Sequence, residues 1–316
     1  MVIAFGWGQK AYKKMKKEKS MRSETYLKSI AICAAIVLLC SVFARAGTWE
    51  TLNMPGAGQT RAYGVSGNNI VGKYEDSAGT HGFLYNGTNY TALNYPGGQN
   101  TEALGISGSN IGGCYTGSVN YGFLYYGTSW TTLNYPGAGF TGAYGISGNN
   151  IVGDYQDSDA KYHGFVYNGT SYAALNYPGA GWTWANGISG SNIVGTYAVD
   201  NVINFQGFVY NGTSYTALNY PGAGWTQAWG ISGSNIVGAY ADSSGVYGFL
   251  CNGTDWTTLN YPGAYRTYAR GISGNNVVGW YEDTSGNQHG FIYTIPEPAT
   301  LLLLGLGAVM ARRKRA

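Results

Sequence analysis

Residues 60–98 read TRAYGVSGNNIVGKYEDSAGTHGFLYNGTNYTALNYPGG, and the chain repeats this passage at a near-constant interval. The phrase Gly-Ile-Ser-Gly (once Gly-Val-Ser-Gly) begins at Gly64, Gly105, Gly145, Gly187, Gly230 and Gly271, at spacings of 41, 40, 42, 43 and 41 residues. Leu-Asn-Tyr-Pro-Gly (once with Met for Tyr) begins at Leu52, Leu93, Leu133, Leu175, Leu218 and Leu259, with the same spacings. Such a period marks a repeat architecture, so the unit has to be read before any single residue.

Each unit parses into four short strands. Strand a is Thr-x-Ala-Tyr-Gly-Ile-Ser, and strand b, Asn-Ile-Val-Gly-x-Tyr, follows a Gly-Asn turn. Strand c, Gly-Phe-Leu-Tyr, follows an Asp-Ser-Gly turn. Strand d, Ser-Tyr-Thr-Ala-Leu-Asn-Tyr, follows Asn-Gly, the strongest short hairpin signal. Pro-Gly then breaks the chain. Four strands in about 41 residues match one blade of a β-propeller. The ends of the repeat region support a closed ring. Thr48–Met54 is a strand d with no strand c before it, and Gly290–Tyr293 is a strand c with no strand d after it. Trp49 aligns with Tyr90, Trp130, Tyr172, Tyr215 and Trp256. Pairing the first strand into the last unit completes six blades and leaves no open edge. The fold expected is all-β, a six-bladed propeller closed by its N-terminal strand. An open solenoid, which needs capping ends, is the rival.

Composition agrees: 51 Gly, 29 Tyr and only 10% charged residues describe short strands and tight turns. The net charge of +3 conceals a division. Residues 47–295 hold five Lys and Arg against twelve Asp and Glu, a net −7, while nine basic residues lie in 1–46 and four in 296–316. A nucleic-acid binder concentrates cations on its folded domain, so that partner class is excluded. Of four cysteines, only Cys114 and Cys251 fall among the repeats, at different phases, and both read as small apolar substitutions. The spacing of zinc ligands is absent.

The two ends read as targeting segments. Residues 30–43, IAICAAIVLLCSVF, follow a Lys-rich stretch and precede Ala44-Arg45-Ala46. That is the order of a secretory signal peptide, with signal peptidase expected to cut after Ala46 and Met21 as a possible true start. At the other end Pro296-Glu297-Pro298 precedes an apolar run from Ala299 to Ala311 and then Arg312-Arg313-Lys314-Arg315. The run is shorter than the roughly 20 residues of a stable span, which suggests a short C-terminal transmembrane helix that is later processed. The expected division is 1–46 signal peptide, 47–295 propeller and 296–316 sorting tail.

This tail resembles the PEP-CTERM sorting signal of exported proteins of Gram-negative bacteria. The resemblance implies processing by exosortase, a membrane protease-transpeptidase, with Pro296, Glu297 and Pro298 as recognition residues, and a destination in the cell envelope, outer surface or extracellular matrix. The repeats are similar to those of extracellular HAF-type proteins in their Gly-Ile-Ser, Val-Val-Gly-x-Tyr and His-Gly-Phe order, a likeness that implies no particular activity.

Positions shared by all units are explained by the fold, so chemistry is sought where units differ. Three strand-a positions vary: Gln59, Asn100, Phe140, Trp182, Trp225 and Arg266; then Arg61, Glu102, Gly142, Trp184, Gln227 and Tyr268; then Tyr63, Leu104, Tyr144, Asn186, Trp229 and Arg270. Simple alternation puts all three sets on one side of the innermost strand. The b–c turns with Asp76, Asp157, Asp242 and Asp283 are expected on the same face as the loops entering strand a. The rim formed by Phe140, Trp182, Trp184, Trp225, Trp229, Arg266 and Arg270 combines aromatic platforms with polar groups, which suits a sugar ring. The bland alternative is that these rings only fill space between blades.

His81, His163 and His289 are in phase but fall in three separate units, so a shared metal is not expected, and no cofactor is implied. The Asp turns read as Asx turns and the Asn-Gly-Thr triplets at Asn86, Asn168, Asn211 and Asn252 as hairpins. No nucleophile–base pairing stands out, and the chain is not read as an enzyme. The expectation is an exported surface or matrix protein that binds extracellular polysaccharide. The alternatives are a purely structural envelope protein and, less favoured, a glycan-active hydrolase or lyase.

Overall fold

A computed structural model describes residues 12–19, 21, 47–199 and 204–296. Residues 12–19 are helical; the chain divides into a terminal unit and a compact unit over 47–295. Among the described residues no helix is long and apolar enough to cross a membrane. The apolar segments 30–43 and 299–311 lie outside them, as do Ala44, Ala46, Glu297 and Pro298.

The 24 strands of residues 47–295 form six antiparallel blades. After β1 (Thr48–Leu52), blade one is β2 (Gln59–Ser66), β3 (Asn69–Asp76), β4 (Gly79–Tyr85) and β5 (Tyr90–Leu93). Blade two is β6 (Gln99–Ser107), β7 (Asn110–Thr116), β8 (Asn120–Tyr125) and β9 (Trp130–Leu133). Blade three is β10 (Phe140–Ser147), β11 (Asn150–Gln156), β12 (Tyr162–Tyr167) and β13 (Tyr172–Leu175). Blade four is β14 (Trp182–Ser189), β15 (Asn192–Ala198), β16 (Gln206–Tyr210) and β17 (Tyr215–Leu218). Blade five is β18 (Trp225–Ser232), β19 (Asn235–Asp242), β20 (Gly245–Cys251) and β21 (Trp256–Leu259). Blade six has β22 (Arg266–Ser273), β23 (Asn276–Glu282) and β24 (Gln288–Thr294), and takes β1 as its fourth strand.

That closure has the register expected of an ordinary strand d. Trp49 faces Tyr293 and Leu52 faces Gly290, just as Tyr90 faces Tyr85 and Leu93 faces Gly82 within blade one. The ring therefore has no free strand c, and the solenoid is excluded.

The recurrent residues divide the packing between them. Phe83, Phe123, Phe165, Phe208, Phe249 and Phe291 are fully buried, one per blade, and each contributes about 2–3 kcal/mol by leaving water. The strand-a threonines are buried too. The Oγ1 of Thr60, Thr101, Thr141, Thr183, Thr226 and Thr267 accepts a backbone N–H from the preceding Leu-Asn-Tyr segment at 2.9–3.0 Å. The tyrosine of that segment stacks on the strand-b tyrosine of the next blade: Tyr95 on Tyr115, Tyr135 on Tyr155, Tyr177 on Tyr197, Tyr220 on Tyr240 and Tyr261 on Tyr281, with centroids 3.6–3.7 Å apart. At the seam Met54 replaces the tyrosine and packs against the core that contains Tyr74.

The Gly-Ile-Ser-Gly phrase becomes legible in this setting. Its first glycine lies where adjacent blades touch at the axis. A Cβ on Gly105 would stand 2.0 Å from the Tyr144 carbonyl oxygen, and one on Gly271 would stand 2.6 Å from the Tyr63 oxygen. The serine accepts the turn N–H of a neighbouring blade, as Ser66 does from Gly108 at 3.0 Å. The final glycine makes the turn, with φ near +60° at Gly67.

Strand a departs from simple alternation. In every blade the a–b register shifts between the alanine and the first Gly-Ile-Ser glycine, as between Ala62 and Gly64. Ala62 and Val65, three residues apart, consequently share one blade core. The bulge leaves Tyr63 and Gly64 lining the axis. Alternation holds from Gln59 to Ala62, and the bulge follows it.

Candidate ligand-binding site

A cavity of about 340 Å³ lies on the axis. All six blades contribute the glycine, its following Val or Ile, and the residue at the bulge: Tyr63, Leu104, Tyr144, Asn186, Trp229 or Arg270. Trp184, Thr196, Phe205 and Gln227 add a wall from blades four and five.

The two halves of the axis differ in chemistry. Cross-strand pairing sets the strand-a position before the alanine opposite the variable position of Val-Gly-x-Tyr. The pairs are Arg61 with Lys73, Glu102 with Cys114, Gly142 with Asp154, Trp184 with Thr196, Gln227 with Ala239 and Tyr268 with Trp280. At this cross-strand position blades one to three thus carry the charged side chains and the thiol. Lys73 Nζ donates to Glu102 Oε1 at 2.8 Å and lies 3.5 Å from Glu75. Burial works against the Lys73 charge, but Tyr63 and Glu102 outweigh it and its pKa rises. The Arg61 Nε donates to Gln288 Oε1, with its guanidinium 5.0 Å from the centre of the Trp280 ring. Cys114 is a free thiol opposite Glu102 whose pKa burial pushes up, reinforced by Glu102, so it stays neutral. Cys251 is also free and sits in the blade-five core.

Asp154 is fully buried, and neither carboxylate oxygen has a hydrogen-bond partner among the described residues. Burial pushes its carboxyl up to about 7; the Tyr144 hydroxyl beside it acts in the opposite direction without completing a hydrogen bond of ordinary geometry. Gly142 makes room for that hydroxyl, since a Cβ there would lie 2.9 Å from the Tyr144 oxygen.

Blades four to six present rings and amides. Asn186 Nδ2 donates to the Ala228 carbonyl at 2.8 Å and to Thr196 Oγ1 at 3.3 Å, leaving its own carbonyl oxygen without a donor among the described residues. Arg270 lies between two rings, 4.1 Å from the centre of Trp229 and 5.0 Å from that of Tyr63. Burial lowers its pKa from the ordinary arginine value, but a guanidinium remains charged at any physiological pH.

Of the seven residues expected at one rim, Trp184, Trp229 and Arg270 line the cavity, and Phe140, Trp182, Trp225 and Arg266 do not. The latter four begin their strands, nearer the mouth. The d–a loops and b–c turns do share that face, because Gly58 N donates to the Glu75 carbonyl at 2.9 Å and blades three to six repeat the pattern. Two mouth residues connect inward. Phe140 meets Tyr162 at 6.1 Å, Tyr162 meets Trp184 at 5.6 Å, and Trp184 meets both Trp182 at 5.9 Å and Phe205 at 5.7 Å. A continuous aromatic run therefore leads from the mouth to the cavity. Arg266 instead lies over Tyr265 and 3.8 Å from Glu282.

The remaining motifs are absorbed by the scaffold. His81, His163 and His289 each bridge the Asp of their b–c turn (Asp76, Asp157, Asp283) and an Asn of strand d (Asn94, Asn176, Asn53). Each turn Asp also accepts backbone N–H bonds, as Asp157 does from Asp159 and Lys161 at 2.9 Å. Asn168 caps its hairpin by accepting the N–H groups of Thr170 and Ser171 at 2.9 Å, and Asn86, Asn211 and Asn252 do likewise.

Comparison with known proteins adds two findings. Residues 294–315 match the model of the PEP-CTERM protein-sorting motif, so the chain carries the signal of an exported, sorted protein and pairs it with propeller repeats. The propeller is similar in structure to TolB from Acinetobacter baumannii, at 13% identity over 76% of this chain and 65% of that one, with a TM-score of 0.50. It is also similar to the lectin of the fungus Aleuria aurantia, described as a six-bladed β-propeller with a novel fucose recognition mode (14% identity, 79% of this chain, 99% of that one, TM-score 0.49). A third likeness is to the propeller domain of the Trilobed protease from Pyrococcus furiosus (8% identity, 75% and 95%, TM-score 0.47). At these identities the likenesses bear on the fold alone. No curated protein sequence matches the chain.

Proposed function

We propose that this protein is exported through cleavage of its N-terminal signal peptide, sorted to the envelope or matrix by exosortase acting on its tail, and there binds extracellular polysaccharide. The saccharide enters the axial cavity with its faces against Trp184, Phe205 and Trp229 and its hydroxyls toward Asn186 and Gln227. The observation that carries this reading is the aromatic run from Phe140 and Trp182 through Trp184 into a cavity lined by Gln227 and by Asn186, whose side-chain oxygen has no donor among the described residues. A pyranose has an apolar face and a hydroxyl edge, and rings with convergent amides match both. The bulge position carries five residue types in six blades, a variation that suits recognition of a ligand better than a uniform structural ring.

The test is a glycan array probed with residues 47–295, a span that contains all 24 strands and the closing pair. Binding that falls at least about tenfold in Trp184→Ala and Trp229→Ala supports the site. Absence of binding by the parent protein removes it, and turnover of a polysaccharide in the panel points to a glycan-active enzyme instead.

A further inference from the structure

Residues 47–295 hold five basic residues in a domain of net charge −7; Arg270 lines the axial cavity, while Arg61 and Lys73 face each other across strands β2 and β3. Two of the three are occupied: Arg61 by Gln288, and Lys73 by Glu102 and Glu75. Arg270 makes no hydrogen bond or ion pair among the described residues. Its contacts are the rings of Trp229 and Tyr63. Stacking by these rings holds the guanidinium while its N–H groups find no protein acceptor. The guanidinium is partly exposed and lines the cavity, so a ligand anion that enters the cavity can take up its N–H groups.

From this we propose that the axial cavity selects an acidic sugar, a uronic-acid residue whose carboxylate is gripped by Arg270 while its ring lies against Trp229 and Trp184. The inference rests on the saccharide reading and specifies its class. A guanidinium presents a planar fork that matches a carboxylate with two parallel N–H···O bonds. One free cation suits a monoanion; a phosphate dianion calls for more donors than the cavity leaves unpaired. Burial raises the Asp154 pKa and so reduces its repulsion of such a ligand, and Glu102 is matched by Lys73.

The experiment is titration of residues 47–295 with tetrasaccharides of galacturonate and of mannuronate, and with the same compounds after reduction of every carboxylate to a primary alcohol. A sulfated neutral tetrasaccharide forms a further arm. The expected result is binding of a uronate, about 10- to 100-fold weaker for its reduced form, with a similar loss in Arg270→Gln and a smaller one in Arg270→Lys. A far-UV circular dichroism spectrum and a Tm matching the parent show that Arg270→Gln is folded. Equal affinity for acidic and reduced forms overturns the acidic class and leaves saccharide binding standing. Preference for the sulfated compound over both uronates overturns the carboxylate assignment. Failure of every compound, on this panel and on the glycan array, overturns both readings.

Discussion

At Asp154 a carboxyl group sits fully buried with neither oxygen hydrogen-bonded, where blade five carries alanine and blade four threonine. Its folded pKa, about 7, lies above its ordinary value of 3.8, so the folded state holds the proton more tightly than the unfolded one. Its contribution to stability is complete below pH 3.8 and is lost progressively as pH rises toward 7. Urea unfolding at pH 4, 6 and 8 should show that decline, on the order of 2–4 kcal/mol, and Asp154→Asn should lack it. Parallel curves for parent and variant contradict the assignment. The turn residue Asp283 works with the opposite sign: hydrogen bonds from Asn287 hold its carboxyl down at about 2, and that contribution is lost as pH falls below 3.8. Gly105 makes a second test. Gly105→Ala places a Cβ 2.0 Å from a backbone oxygen of the next blade and should cost about 3 kcal/mol in a urea midpoint, whereas Gly108→Ala has open space and strains only a turn. The sequence marks both glycines equally. What separates them is a contact between blades, which no reading of one unit contains.

Among the elements, the tyrosine ladder between blades has five stacked pairs and one substitute, Met54 beside Tyr74. Met54→Tyr should complete the sixth pair and raise stability by about 0.5–1.5 kcal/mol, read as an increase in Tm. A decrease means that the seam is spaced differently from the other junctions. Strand order, the hairpins and the closing strand were legible because each depends on local turn chemistry and on the phase of the repeat. The inner surface was legible only in part. Alternation along strand a anticipates Thr60 and Ala62 inside, but the bulge after Ala62 shows only in the cross-strand register, where Ala62 faces Gly72 and Gly64 faces Val71. Lys73, Cys114, Asp154 and Phe205 were missed for a related reason. The first three occupy the variable position of Val-Gly-x-Tyr, whose unit-to-unit variation is as plain as that of strand a. Only the cross-strand register aims that position at the axis. Phe205 reaches the cavity through the longer b–c connection of blade four.

For the whole molecule, closure decides whether an axis exists at all. A chain that begins at residue 54 loses β1, exposes the β24 edge, and removes Trp49 from its contacts with Tyr261 at 5.4 Å and Phe291 at 5.0 Å. Light scattering should show concentration-dependent association of this chain and a single monomeric species for residues 47–295, because an open strand edge pairs with another copy. The ring also explains why the binding groups are scattered through the sequence: Trp184, Trp229 and Arg270 belong to three blades and meet only at the centre. The most direct test of that meeting is oxidative footprinting of the tryptophans with and without a bound oligosaccharide. Protection confined to Trp184 and Trp229, with Trp49, Trp130 and Trp256 of the outermost strands unchanged, is the predicted result. Protection of the outer tryptophans, with the axial pair still open to oxidation, would contradict it.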